Sequence, residues 1–408
     1  MEGRGRPRGA PGRVADAQRQ ARPTLLLAGA FLVAAAAGTA VPHWTGRWLS
    51  LHLALAGALV LAISGATQFL AVTWGAAPPP VRAVSVTQRW LVTGGAVLVV
   101  AGRQGSWSWV VAVGAVSTVA GLVTLAVILC AIARRAVQPR VRPAITAYLV
   151  GIATGVVGVV LGGVLGSGGG GDLAGRLRDV HETLNLLGLA GFVVAGTLPF
   201  FVATEAKVKM SRRATHAAQW GIQSLMAAGL AVATIGLVGR WRVAAAAGFV
   251  GYAAALLCLL ALMPRVRGKQ LRWAGPRLVQ TGAAITWWVG SVVYAGARAG
   301  RGLPPFAGGV VPALVVGGYV QLIVGSLSYF GPVLVGGGHE QLAASFRITR
   351  SWLGLVSGNV AVVAATVGGL RVVYGVALAA WALDGAVRAV LLVVARRRLT
   401  QTPPANAA

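Results

Sequence analysis

Three apolar stretches of the chain share one residue pattern, and each is long enough to cross a membrane. They cover residues 52–73, 181–204 and 312–333. In each stretch a branched aliphatic residue is followed by a glycine, a second glycine and an aromatic residue at constant spacing. These positions are Leu55, Gly57, Gly65 and Phe69, then Leu186, Gly188, Gly196 and Phe200, then Val315, Gly317, Gly325 and Tyr329. Because the copies recur about every 130 residues, the pattern predicts a triplicated helical bundle.

The composition places these stretches in a membrane. Of the 408 residues, 56% are hydrophobic and 11% are charged, whereas a soluble domain carries about 25% charged residues. About 20 apolar residues cross a bilayer as a helix, which satisfies its own backbone hydrogen bonds. We therefore predict an all-α membrane protein with about twelve transmembrane helices, arranged as three pseudo-repeats of four. The predicted spans are 24–41, 49–74, 90–102, 107–133, 144–166, 181–204, 219–238, 243–263, 278–296, 309–335, 351–370 and 372–395.

Other markers recur with the same period and set the expected domain boundaries. Trp90, Trp220 and Trp352 open the third helix of each repeat, and a proline stands before the first helix of each, as Pro23 does in the first repeat. We predict one transmembrane domain over 23–398, with pseudo-repeats at about 23–139, 140–272 and 273–398. A disordered basic cytoplasmic tail is expected over 1–22 and a cytoplasmic tail over 399–408.

The net charge of +28 does not indicate nucleic-acid binding, because the basic residues lie at the ends of spans. Most of the 36 Lys and Arg residues fall in the segments that would be cytoplasmic if the N terminus were cytoplasmic. This asymmetry predicts a multi-pass protein of the inner (cytoplasmic) membrane with both termini in the cytoplasm. The lipid bilayer is its expected partner, and the sequence leaves open a partner membrane subunit or a homo-oligomer.

Two histidines are candidate ligands of a cofactor. His52 lies about one turn inside the second span and His181 opens the sixth, so both lie at the outer ends of repeat-equivalent helices. An ionisable residue inside a membrane is costly and is a functional hypothesis by default. Imidazole at this depth suits haem iron or copper. The alternative is a histidine that hydrogen-bonds a neighbouring helix, which would leave the protein without a metal.

The remaining polar residues of the spans predict structural roles. Asp384 and Arg388 are four residues apart in the last span and are expected to form an ion pair. The five intramembrane amides are expected to form hydrogen bonds between helices; they are Gln68, Asn185, Gln223, Gln321 and Asn359. No serine, cysteine or zinc catalytic motif occurs, so no catalytic residue is assigned.

The twelve spans in three groups of four resemble the catalytic subunit of the haem–copper oxidase superfamily. The segment HETLNLLG at 181–188 is similar to the H-x-H-L-N-L-L-G helix starts of small divergent members and of NnrS-type membrane proteins. The resemblance implies that His52 takes the position of the second-helix haem ligand. It implies that His181 takes the position of the first histidine of the sixth-helix pair.

The departures from that pattern define what function is expected. Thr183 occupies the position of the second histidine of the pair, and spans seven and ten contain no histidine. Oxygen reduction is therefore not expected, and the alternatives are a single haem, a copper ion or no metal. A transporter is a further alternative, although the commonest twelve-span class has two halves of six spans. A scaffold that has kept the fold and lost the cofactor is the last.

Overall fold

The computed structural model of the chain describes residues 10–40, 42–335 and 339–401, and all regular structure within these ranges is helical. The chain divides into two compact units. The first contains the residues up to Leu198 together with Arg213–Leu259, and the second contains Pro199–Arg212 together with the residues from Leu260 onwards.

Seventeen α-helices follow one another within the described residues. The first ten are α1 Ala10–Ala40, α2 Pro42–His52, α3 Val60–Gly75, α4 Arg82–Gln104, α5 Ser108–Arg135, α6 Arg142–Gly166, α7 Ala174–Thr183, α8 Gly191–Glu205, α9 His216–Gly239 and α10 Arg242–Ala261. The others are α11 Gly268–Ala274, α12 Pro276–Gly300, α13 Val310–Pro312, α14 Gln321–Val335, α15 His339–Ile348, α16 Trp352–Val367 and α17 Arg371–Gln401.

Eleven helical segments within the described residues are long and apolar enough to cross a membrane, which supports a multi-pass membrane protein. They correspond to eleven of the twelve predicted spans. The short third prediction, 90–102, lies within α4, which has 23 residues. The remaining prediction, 278–296, coincides with α12, which has 25 residues. Helix α12 is not among the eleven segments, and polar residues such as Gln280 and Thr281 lie in its first turns.

The predicted N-terminal tail is partly wrong. Helix α1 begins at Ala10, so residues 10–22 are helical and Pro23 lies inside the helix instead of before it. Ala17 and Ala21 are buried, and the Gln20 amide donates a hydrogen bond to the Pro80 carbonyl at 3.1 Å. These contacts explain why the polar segment is folded. Residues 1–9 and 402–408 of the predicted tails lie outside the described residues, whereas α17 continues to Gln401.

A π-helical segment interrupts each of the three related spans at the same position. The segments are Leu53–Leu59, Leu184–Ala190 and Ala313–Val320. The fifth residue of each segment is the first glycine of the repeat pattern, namely Gly57, Gly188 and Gly317. A π-helical turn is rare and is frequently found at functional sites. This recurrence agrees with a threefold repeat in local structure, and the arrangement of the repeats in space stays a prediction.

Glycines allow helices of the first unit to pack closely. A Cβ atom built on Gly65 would lie 3.2 Å from Leu25, and one built on Gly57 would overlap the ring of Phe31, so both glycines face α1. In α4 and α5, a Cβ on Gly95 would lie 2.8 Å from the carbonyl oxygen of Gly114. Small residues at such contacts bring backbones together, which is the main source of helix association in a membrane.

The predicted ion pair fixes the end of α15 in the second unit. Arg388 Nε lies 2.9 Å from an Asp384 carboxylate oxygen, which confirms the pairing. Arg388 Nη1 also donates to the carbonyls of Ile348, at 2.6 Å, and Arg350, at 2.7 Å. Arg388 therefore satisfies carbonyl groups at the end of α15 that have no partner within that helix.

Candidate metal site

His52 is the last residue of α2 and directly precedes the first π-helical segment. Its Nδ1 atom lies 2.9 Å from the backbone carbonyl oxygen of Trp48. The Trp48 ring stacks on the imidazole, with centroids 3.9 Å apart and 22° between planes. Because a carbonyl oxygen can only accept, Nδ1 must carry the proton in this contact. The Nε2 atom of His52 therefore has the free lone pair that a metal requires.

His181 is held in the same protonation state by a neighbouring helix. Its Nδ1 atom lies 2.7 Å from the carbonyl oxygen of Gly158 in α6, so this nitrogen also donates. The Asn185 amide nitrogen lies 3.2 Å from the same Nδ1 atom, which cannot accept while it carries a proton, and it donates to the His181 carbonyl at 2.8 Å. A Cβ atom on Gly162 would lie 2.8 Å from Nδ1 of the imidazole. Only glycine at this position leaves room for the ring.

The structure brings the two histidines of the first unit into one electrostatic neighbourhood. His52 and His181 are close enough to influence each other's ionisation, and Arg103 at the end of α4 also acts on His52. The two residues are not in the same register, however. His52 precedes Gly57 by five residues and His181 precedes Gly188 by seven, so the residue equivalent to His52 is Thr183. Thr183 is buried and donates to its own helix, to the Asp179 carbonyl at 2.6 Å.

The donor set limits which metals the histidines fit. Within the described residues, no group of three or more His, Cys, Asp or Glu side chains could hold a metal ion. A structural zinc takes four protein ligands and a catalytic zinc takes three, so two imidazoles are too few. Haem iron takes only axial ligands from the protein. The imidazoles of His52 and His181, with Nδ1 bonded to a carbonyl and Nε2 therefore unprotonated, have the form typical of metal-bound histidine.

Most of the intramembrane amides have the structural role that was predicted. Gln68 donates to Gln88 of α4 at 3.3 Å, and Gln223 donates to the Pro143 carbonyl of α6 at 2.9 Å. In the second unit, the Gln321 amide donates to Asn359 at 3.3 Å. Asn185 is the exception, because its bond to the His181 carbonyl lies within one helical segment.

A second polar cluster was missed by the sequence interpretation, because its members were counted as cytoplasmic loop residues. Glu205 is 0% exposed and Arg277 is 1% exposed, and both belong to the second unit. Thr281 donates to Glu205 at 3.3 Å. The position of Arg277 in the first turn of a helix was the available signal, since a cation there opposes the helix dipole.

No protein-family model and no curated protein matches this chain. The candidate site is therefore interpreted from its own geometry.

Proposed function

We propose that this multi-pass membrane protein holds a haem through His52, His181 or both. The site would resemble that of a haem–copper oxidase with most metal ligands missing, and it would not catalyse the reduction of oxygen. The observation that carries the proposal is the shared state of the two imidazoles. Each has Nδ1 bonded to a backbone carbonyl, at 2.9 Å and 2.7 Å, which leaves the unprotonated Nε2 as the atom that could bind a metal.

The protein contributes orientation and basicity. The Trp48 carbonyl and the stacked Trp48 ring fix the His52 imidazole in rotation, and Gly158 and Gly162 fix that of His181. A hydrogen bond to Nδ1 raises the basicity of the ligand nitrogen, and loss of such a bond typically weakens metal binding about 10- to 100-fold. Haem iron, when bound, would supply a centre for electron transfer or for binding a diatomic gas.

The test is the absorption spectrum and metal content of detergent-purified protein from haem-replete cells. We expect a Soret band and iron near one equivalent per chain. His52→Ala or His181→Ala should remove or shift the band. His216→Ala is the matched control, because His216 lies at the start of α9 beside Trp220, away from both imidazoles, and should leave the spectrum unchanged.

Gly162→Ala provides a second readout that keeps both histidines. The added methyl group would press on the His181 ring, so the band should shift or broaden while iron is retained. A preparation with copper but no haem would assign the site to copper. A colourless, metal-free preparation would refute the proposal and favour the transporter or the cofactor-free scaffold.

A further inference from the structure

A cluster of buried donors without acceptors lies in the second unit, at the start of α12. Arg277 is the second residue of α12 and is 1% exposed. Its guanidinium carbon lies 4.8 Å from the centre of the Phe346 ring and 5.8 Å from that of Tyr329. Its Nε atom donates to the Ala274 carbonyl at 3.1 Å. The two terminal nitrogens, Nη1 and Nη2, have no hydrogen-bond acceptor within the described part of the chain.

Two more cations gather next to Arg277, around the ring of Trp273. Lys207 Nζ lies 3.5 Å from the centre of this ring, and the guanidinium carbon of Arg350 lies 5.3 Å from it. Arg350 Nε and the indole nitrogen of Trp273 are also buried without an acceptor among the described residues. Four donor atoms from three side chains thus have no acceptor within hydrogen-bond distance among the described residues.

The charges of this cluster are not balanced. Arg277 interacts electrostatically with Glu205 and with Arg350. Glu205 receives a hydrogen bond from Thr281 on Oε2, whereas its Oε1 is buried without a donor in the described ranges. One carboxylate thus stands against three cations. Burial and the neighbouring charge of Arg277 lower the pKa of Lys207, as expected where cations lie close together.

We propose that Arg277, Arg350 and Lys207 bind a phosphate group, with Arg277 as its main ligand. A phosphate monoester carries about −1.5 to −2 charges at neutral pH and three strong acceptor oxygens, which matches an excess of two positive charges and four unpaired donors. The planar guanidinium binds two phosphate oxygens at once. A bound anion would also explain a cation in the first turn of α12, because the N-terminal end of a helix favours negative charge.

The phosphate group has two sources that share this chemistry. One is the headgroup of an anionic lipid with a terminal phosphate, and the other is a soluble phosphate compound. This site belongs to the second unit and His52 and His181 to the first, so the proposal does not depend on a bound metal.

The test uses thermal unfolding of the full-length protein purified in detergent. Inorganic phosphate is compared with chloride at equal ionic strength. In a separate arm, micelles containing phosphatidic acid are compared with micelles containing phosphatidylglycerol or phosphatidylcholine. We expect a saturable rise of the Tm with phosphate, with phosphatidic acid or with both, and little effect of the other additions. A response to inorganic phosphate shows that the site takes a soluble compound, and a response to phosphatidic acid alone assigns it to lipid.

Three variants relate the response to the cluster. Arg277→Gln should weaken the apparent affinity about tenfold or more, because hydrogen bonds to charged groups are the strong ones. Arg277→Lys keeps the charge but loses the planar guanidinium that binds two oxygens at once. It should bind phosphate less tightly than the wild type and more tightly than Arg277→Gln. Lys209→Gln removes an exposed cation two residues from Lys207 and should respond like the wild type.

Two results would overturn the proposal. One is a wild-type Tm that responds equally to phosphate and chloride and equally to all three lipids. The other is an Arg277→Gln variant that responds like the wild type, which would show that the anion binds elsewhere. If Arg277→Gln fails to fold, the wild-type titration and Arg277→Lys decide.

Discussion

The contact between α9 and α10 provides the sharpest test of how these helices pack. A Cβ atom placed on Gly248 would lie 2.6 Å from the carbonyl oxygen of Gly229 and 2.6 Å from Cα of Ala233, and closer still to the Ala233 nitrogen. All three are backbone atoms, which cannot move away as the end of a flexible side chain can. Gly251, one turn further along α10, would place its Cβ 3.9 Å from the nearest atom, which is ordinary contact.

The expected cost of Gly248→Ala follows from these distances. Contacts of 2.6 Å must open to at least 3.4 Å to become ordinary, so the two helices must separate or tilt. Overpacking of this kind typically costs about 1–3 kcal/mol. Replacing glycine by alanine inside a helix contributes about 1 kcal/mol in the opposite direction. Because Gly251→Ala gains the same propensity term, Gly248→Ala should be less stable than Gly251→Ala by about 1–3 kcal/mol.

The assay is the unfolding of both purified variants and the wild type in the same detergent, with circular dichroism as the readout. The expected order of stability is Gly251→Ala, then the wild type, then Gly248→Ala. If Gly248→Ala is as stable as Gly251→Ala, the close approach of α9 and α10 is wrong, since no backbone could accept that methyl group without a change in packing.

Two further predictions concern single interactions, and a third concerns the membrane topology. Tyr252 donates to the carbonyl of Leu187 inside the second π-helical segment at 2.7 Å, so Tyr252→Phe should lower the free energy of unfolding in detergent by about 1–2 kcal/mol. Arg388→Gln leaves Asp384 and the carbonyl of Ile348 without their partner. Arg388→Gln should lower the free energy of unfolding by about 1–3 kcal/mol. Asp384→Asn should lower it by less in the same unfolding assay. For the topology, a green fluorescent protein fused to the C terminus should fluoresce and an alkaline phosphatase fused there should be inactive. The reverse pattern would contradict a cytoplasmic C terminus.

Local features of the sequence predicted much of the helical structure. Long runs with few charges predicted membrane-spanning helices, because a bilayer permits little else. The recurrent glycine pattern predicted three related helices, and the structure has a π-helical segment around the first glycine of each. Where prediction was wrong, the local signal was overridden by packing. Residues 10–22 are largely polar and follow a segment of the sequence that is rich in Pro and Gly. Helix α1 nevertheless includes them, because Ala17 and Ala21 are buried.

In the candidate site, too, the sequence predicts some features and only the packing of distant segments decides the others. The presence of His52 and His181 in the N-terminal parts of their membrane-spanning segments follows from the sequence. Which ring nitrogen is free does not, because the Gly158 carbonyl that binds His181 comes from another helix, 23 residues away in sequence. Glu205 and Arg277 were assigned to loops because charged residues usually flank spans. Only the tertiary structure shows that Arg277 is buried, with its guanidinium group beside the Phe346 ring.

The sequence by itself determined that this protein is helical and lies in a membrane, because both properties depend on the order of apolar and polar residues along one segment. The tertiary structure decided the state of each polar group, because burial and hydrogen bonding depend on which distant segment lies opposite. For His181 that neighbour supplies an acceptor. For Arg277 the described neighbours leave two donors unpaired. This is why we propose His181 as a metal ligand and Arg277 as an anion ligand.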